Sequence, residues 1–150
     1  MRRFTAPWLL PVEGAPIPDG ALLVGDDGRI LAIGPVEAVP RPERAEPIAL
    51  ADATLLPGLV NSHTHLELTG FAGMVEEDDF WQWILHVIRI KAARQEEEFF
   101  LQACAGIRAG WAAGVTTVCD TGSTGQVIAA LRHLGASGVA HHEVFGAHPD

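Results

Sequence analysis

Two histidines, His63 and His65, stand near the end of the stretch Pro57 to Leu68, PGLVNSHTHLEL. Leu55 to Val60 is an apolar run broken only by Pro57 and Gly58, which reads as a buried strand running into a polar end. Side chains alternate along a strand, so residues two apart face the same way with Cα atoms roughly 6.5 Å apart. Both imidazoles can then reach one ion, while Thr64 between them faces the opposite layer. Zinc takes neutral histidine nitrogen at about 2.0–2.1 Å and keeps a position open for water in a catalytic site, so two ligands from one strand are part of a larger set. An isolated HxH is more often an ordinary hydrogen-bonded pair; the surrounding residues have to decide.

Two carboxylates lie close to the same strand ends. Glu67 follows the histidines and opens a Gly-containing, acidic loop running from Thr69 to Asp79, so it is a candidate to touch substrate or else a solvated carboxylate. Glu143 lies in His141-His142-Glu143, within a third strand expected over Gly138 to Phe145. Alternation gives Glu143 and His141 one face and His142 the other. Glu143 is therefore expected at the mouth of the site holding substrate, with His142 toward the helix layer. A zincin reading of His142, Glu143 and His148 fails, because HExxH needs its second histidine where Gly146 stands. GSTG at Gly122 to Gly125 lacks the lysine of a phosphate loop and reads as a turn, and Asp120 just before it is ambiguous.

Strands and helices must alternate to present these groups. Asp78 and Asp79 suit a helix N-terminus, followed by Phe80, Trp83, Ile84, Val87 and Ile88 at helical spacing, an aromatic stripe expected in a core. His86 on that helix reads as structural. A second helix starts near Gln95, with Glu96 to Glu98 in its first turn, and stops at Gly114. Val115 to Cys119 is a β-branched strand, and Val127 to Leu134 a short helix closed by Gly135. Strand, helix and strand make a βαβ unit, with a parallel sheet and a site at the C-terminal strand ends. Ahead of it, Trp8 to Val12, Ala21 to Val24, Arg29 to Ile33 and Ile48 to Leu50 read as short strands. Gly25-Asp26-Asp27-Gly28 makes the second and third a hairpin. The Pro-rich stretch through Pro40, Pro42 and Pro47 reads as an exposed connector.

PGLVNSHTHLEL resembles the first metal-binding strand of the amidohydrolase superfamily, in its cytosine deaminase and chlorohydrolase-like branch. FWQWILHVIRIKAARQ, AGVTTVCDTGS and ASGVAHHEVFG resemble the segments that follow in deaminases acting on purine-like compounds, aminodeoxyfutalosine and adenosine-like deaminases most of all. Gln82 departs from that pattern, standing where a Glu is common. The resemblance implies an α/β fold: the N-terminal part of a (β/α)8 TIM barrel over residues 56–150, preceded over residues 1–55 by half of a small composite β-sandwich. It implies that His63 and His65 bind a divalent ion, zinc or iron. It also implies hydrolytic deamination of a small amino-substituted heterocycle by metal-activated water, with the remaining ligands and acid–base groups beyond residue 150. Hydrolysis of a cyclic amide or chloro-triazine shares both histidines, and a short non-catalytic metal- or partner-binding protein is the rival from another class.

Length and charge bound the rest. At 150 residues the chain falls short of the ~250 of a complete barrel, so it is expected to be a piece of a longer enzyme. A net charge of −9 argues against a nucleic-acid surface, leaving a small-molecule substrate as the expected partner; a homo-oligomer is left open. Pro7, Pro11 and Glu13 interrupt any signal-peptide core, and no apolar span approaches 18 residues, so no membrane contact is expected. Cys104 and Cys119 lie in apolar contexts, reading as buried thiols in a reducing, cytoplasmic compartment.

Overall fold

The structure, a computed structural model, describes residues 1–144 and Gly146. The chain divides into two compact units, Met1–Pro57 and Gly58–Asp150. The N-terminal unit is a sheet of β1 (Arg2–Leu9), β2 (Ile17–Val24), β3 (Ile30–Pro35), β4 (Glu46–Ala49) and β5 (Thr54–Leu55). Its order is β3-β2-β1-β4, with β5 also paired to β1. The hairpin falls as expected: β2 and β3 run antiparallel around Gly28, whose φ of 80° suits glycine. The first strand, however, starts and ends earlier than its apolar residues suggest, because its N-terminal half is held by a charge. Arg3 is buried, and its guanidinium donates to the carbonyls of Val36 and Val39 and, through Nε, of Pro40. Past Leu10 the backbone turns away, with Val12 at a φ of 68°. Pro7, inside β1, sits at a changeover: Arg2 to Thr5 pair with β4, and Trp8 and Leu9 with β5. A residue without an N–H is tolerated where no ladder bond is required of it.

The second unit carries β6 (Leu59–Thr64), a 3-10 helix (Leu66–Phe71), α1 (Phe80–Ala92), α2 (Glu96–Ala112), β7 (Val115–Gly122), α3 (Gln126–Leu134) and β8 (Ser137–His142). The three strands form a parallel sheet in the order β6-β7-β8, as the βαβ reading requires. The helix signals are those expected. Asp79 caps α1 by accepting from the amides of Trp81 and Gln82, each at 3.0 Å. Gln95 and Glu98 form a capping box at the start of α2, and Gly135 closes α3 in the left-handed conformation. The core packs Leu66 against Ala103, Cys104 and Ile107 of α2, Val118 of β7, and Val127, Ala130 and Leu131 of α3. Burying a side chain such as Ile107 contributes about 1.5–3 kcal/mol. Both cysteines are free, Cys104 buried and Cys119 half-buried, and no described helix is long and apolar enough to cross a membrane.

Several boundaries differ from expectation. The apolar run Leu55 to Val60 is not one buried strand: it breaks at Leu56-Pro57-Gly58 into the ends of β5 and β6, and Leu59 and Val60 are exposed. Their strand pairs on one side only, with β7, among the described residues. The aromatic stripe of α1 is not core here either. Phe80, Trp81 and Trp83 are exposed, and Val87 alone of the helix is buried, against Phe71 and Phe99. β7 runs three residues beyond Cys119, which takes Asp120 out of the loop and into the sheet. β8 ends at His142, and Phe145 and His148 lie outside the described residues.

Candidate functional site

The histidine pair straddles the end of β6: His63 is in the strand, and His65 follows its last residue with φ −128° and ψ 72°. The strand is irregular here. Asn61 and Thr64 have partners on β7, but the register shifts between them and His63 has none. The Asn61 side chain accepts from the His63 amide at 3.2 Å, which satisfies the N–H released by the irregularity. Even so the two rings remain together, with centroids 4.9 Å apart and planes at 85°, both exposed. The alternation argument therefore reaches the right juxtaposition through a strand that is not ideal.

One ring is fixed by β7. Nδ1 of His65 lies 2.5 Å from the carbonyl oxygen of Thr121. A carbonyl only accepts, so Nδ1 carries a proton, and in the neutral ring Nε2 is the nitrogen with the free lone pair. That is the second-sphere arrangement by which proteins orient a metal-binding imidazole. Thr64 points away from the rings, as alternation predicts, and donates to Asp120 Oδ2 at 2.7 Å. The same oxygen accepts from the Leu66 amide at 2.7 Å. Asp120, fully buried, thus ties down the residues on either side of His65. Its other oxygen, Oδ1, has no hydrogen-bond partner.

Glu67 occupies a place unlike either of those expected of it. It is 1% exposed, pointing inward from the 3-10 helix. Its oxygens accept from the Lys91 ammonium, from the Thr124 hydroxyl, and from the Ser123 and Thr124 amides at 3.2 Å each. Lys91 also donates to Ser123 Oγ at 2.8 Å. Burial pushes the Glu67 carboxyl up, but the bonds from Lys91, Thr124 and Ser123 together outweigh it and hold the group below the ordinary carboxylate range. The Gly122–Gly125 turn is therefore a clamp around a carboxylate. Gly122 lets the two carboxylates close in, since a Cβ there would press on them, 3.0 Å from Glu67 Oε2 and 3.3 Å from Asp120 Oδ1. Nothing in the sequence spacing joins Lys91 to Glu67; a lone lysine on a helix reads as solvated, and only the packing of α1 brings it inward.

Glu143 follows β8 and is half-buried, its amide donating to the Gly122 carbonyl at 2.9 Å so that the ladder runs one residue past the strand. His141 and His142 are exposed, paired in register with Thr121 and Gly122. His86 Nδ1 lies 3.3 Å from Glu77 Oε1 on the surface. No cluster of three or more His, Cys, Asp or Glu side chains able to hold a metal occurs among the described residues. His63 and His65 stand as a pair of exposed imidazoles at the end of β6, with His65 Nδ1 on the Thr121 carbonyl.

Residues 54–145 match the sequence pattern of the amidohydrolase family. The chain belongs to that family. This amidohydrolase chain is 32% identical over 117 residues to a 5-methylthioadenosine/S-adenosylhomocysteine deaminase of Syntrophobacter fumaroxidans, covering 74% of its own length and 26% of that protein. The adenosine deaminase of Xanthomonas campestris, solved with bound zinc, superposes with a TM-score of 0.76 at 25% identity, covering 91% of this chain and 32% of that one. The Helicobacter pylori aminofutalosine deaminase, in complex with methylthio-coformycin, superposes with a TM-score of 0.79 at 16% identity, covering all of this chain and 37% of that one. The amidohydrolase chain thus spans about a quarter to just over a third of the length of such relatives. It corresponds to the N-terminal part of their TIM barrels, the α/β fold expected.

Proposed function

We propose that this chain is the metal-holding N-terminal part of an enzyme that hydrolytically deaminates a small, amino-substituted, purine-like heterocycle. The observation that carries the reading is the His63–His65 pair, with rings 4.9 Å apart and His65 Nδ1 engaged by a backbone carbonyl. The named deaminases among its relatives support the substrate class. A divalent ion of the kind imidazole suits, zinc or iron, would supply a water acidic enough to act as nucleophile near neutral pH. His63 and His65 contribute nitrogen donors to that ion. β7 supports them from behind by fixing the ring of His65 and the backbone around it. Glu143, at the end of β8, holds a polar part of the substrate away from the reacting carbon. Glu67 is a substrate contact only if Lys91 releases it; as it stands it anchors the turn that follows β7. The remaining ligands and the groups that move protons come from parts of the enzyme outside this chain, and the enzyme works in the cytoplasm.

Replacing either histidine tests the reading. In the intact protein His63→Ala and His65→Ala are each expected to lose tight metal retention together with deaminase activity, measured by elemental analysis and by ammonia release from adenosine-like substrates. Full metal occupancy in both variants would end the metal-site assignment. Retained metal binding with turnover of cyclic amides or chloro-triazines, and none of aminopurines, would overturn the substrate class.

A further inference from the structure

We propose that Asp120 is a positioning residue for the histidine pair: its carboxylate holds the bend after β6 that sets where His65 points. The proposal rests on the metal-site reading above and extends it to a residue for which the sequence offered no role. Three bonds to two successive residues of β7 hold His65 and its two neighbours. Asp120 Oδ2 accepts from the side chain of the preceding residue, Thr64, and from the amide of the following one, Leu66, both at 2.7 Å. The carbonyl of the next β7 residue, Thr121, accepts from the ring itself. His65 is thereby fixed on both backbone sides and at Nδ1, which leaves its Nε2 with one direction.

A purely structural carboxylate at this place would be an expensive choice. Asp120 is fully buried, and its Oδ1 has no hydrogen-bond partner. No salt bridge to Asp120 occurs among the described residues, and Lys91 pairs with Glu67. Tying one strand to its neighbour could be done by an apolar pair at no such cost. What an apolar residue cannot do is accept two hydrogen bonds on one oxygen and so set the backbone direction on both sides of a ligand. Asparagine can, because its amide oxygen takes the place of Oδ2 and its nitrogen falls where Oδ1 is unpartnered.

The test uses the intact protein with zinc as the probe, measuring zinc affinity by chelator competition, melting temperature, and the 15N shifts of the His65 imidazole. Asp120→Ala is expected to weaken zinc binding by about ten- to a hundredfold, as outer-sphere changes do, and to blur the single His65 tautomer. Asp120→Asn is expected to keep zinc affinity within about threefold and to keep the Nδ1–H signature, by the same oxygen acceptor. If Asp120→Ala does not fold, Thr64→Val removes one of the two bonds and is expected to lower zinc affinity several-fold with little change in melting temperature. Unchanged zinc affinity in Asp120→Ala or Thr64→Val would overturn the proposal while leaving the metal site standing. An Asp120→Asn variant as weak as Asp120→Ala would do the same, by assigning the effect to charge instead of geometry. A wild-type protein that binds no zinc would instead sink the metal-site reading itself.

Discussion

Residue types at fixed spacing announced the histidine pair, because a period of two survives even the register shift between Asn61 and Thr64. The supports of that pair were hidden. Asp120 and Thr121 lie over 50 residues further on, and only the parallel pairing of β6 with β7 reveals that Thr121 meets the His65 ring and Asp120 the residues on either side of it. Glu143 has its expected place at the end of the third strand, and its proposed role has a kinetic signature. A hydrogen bond to a charged group contributes about 1.5–3 kcal/mol, so Glu143→Gln is expected to lower kcat/KM by roughly ten- to a hundredfold. The loss belongs mostly to KM, since the contact is made equally in ground and transition states. Metal content stays unchanged. Steady-state kinetics on a nucleoside and on its free base check this: an equal loss on both, or loss of metal, rules out recognition of the sugar.

Helix ends were the most legible elements, since Asp79, the Gln95–Glu98 box and Gly135 act through local chemistry that needs no tertiary partner. The Glu67–Lys91 pair is the opposite case, joining the 3-10 helix, α1 and the turn after β7 through three segments distant in sequence. Removing one member leaves the other buried without its counter-charge. Lys91→Met is therefore expected to destabilise the second unit by up to about 3 kcal/mol, the low end for a broken buried pair because Lys91 is partly exposed. Denaturant titration measures it, and an unchanged midpoint would show the pair to be dispensable. The same pair sets an acid limit. Glu67 has a folded pKa below its unfolded value of about 4.3, so its contribution is present above that pH and is lost as the pH falls through the folded pKa. Melting temperatures measured from pH 6 down to pH 3 are expected to fall more steeply for the wild type than for Glu67→Gln.

For the molecule as a whole, the class of fold was readable from alternating strand and helix signals, whereas exposure was not. Leu59, Val60, Phe80 and Trp81 have the composition of a core yet face solvent. Among the described residues β6 and β8 each pair on one side only, leaving two parallel edges beside apolar surface. Parallel strands are stable when both faces are covered. Residues 1–150 expressed alone are thus expected to be inactive and to self-associate, read by light scattering; a monomer with cooperative unfolding would contradict this. The bond from His65 to Thr121 also has a history in time. The two residues are 56 positions apart, so at ~5–20 residues per second His65 emerges from the ribosome roughly 3 to 11 s before its acceptor does. During that interval the imidazole is free to exchange tautomers and the bend after β6 has nothing to hold it. The direction of the His65 ring is set only when β7 emerges and docks.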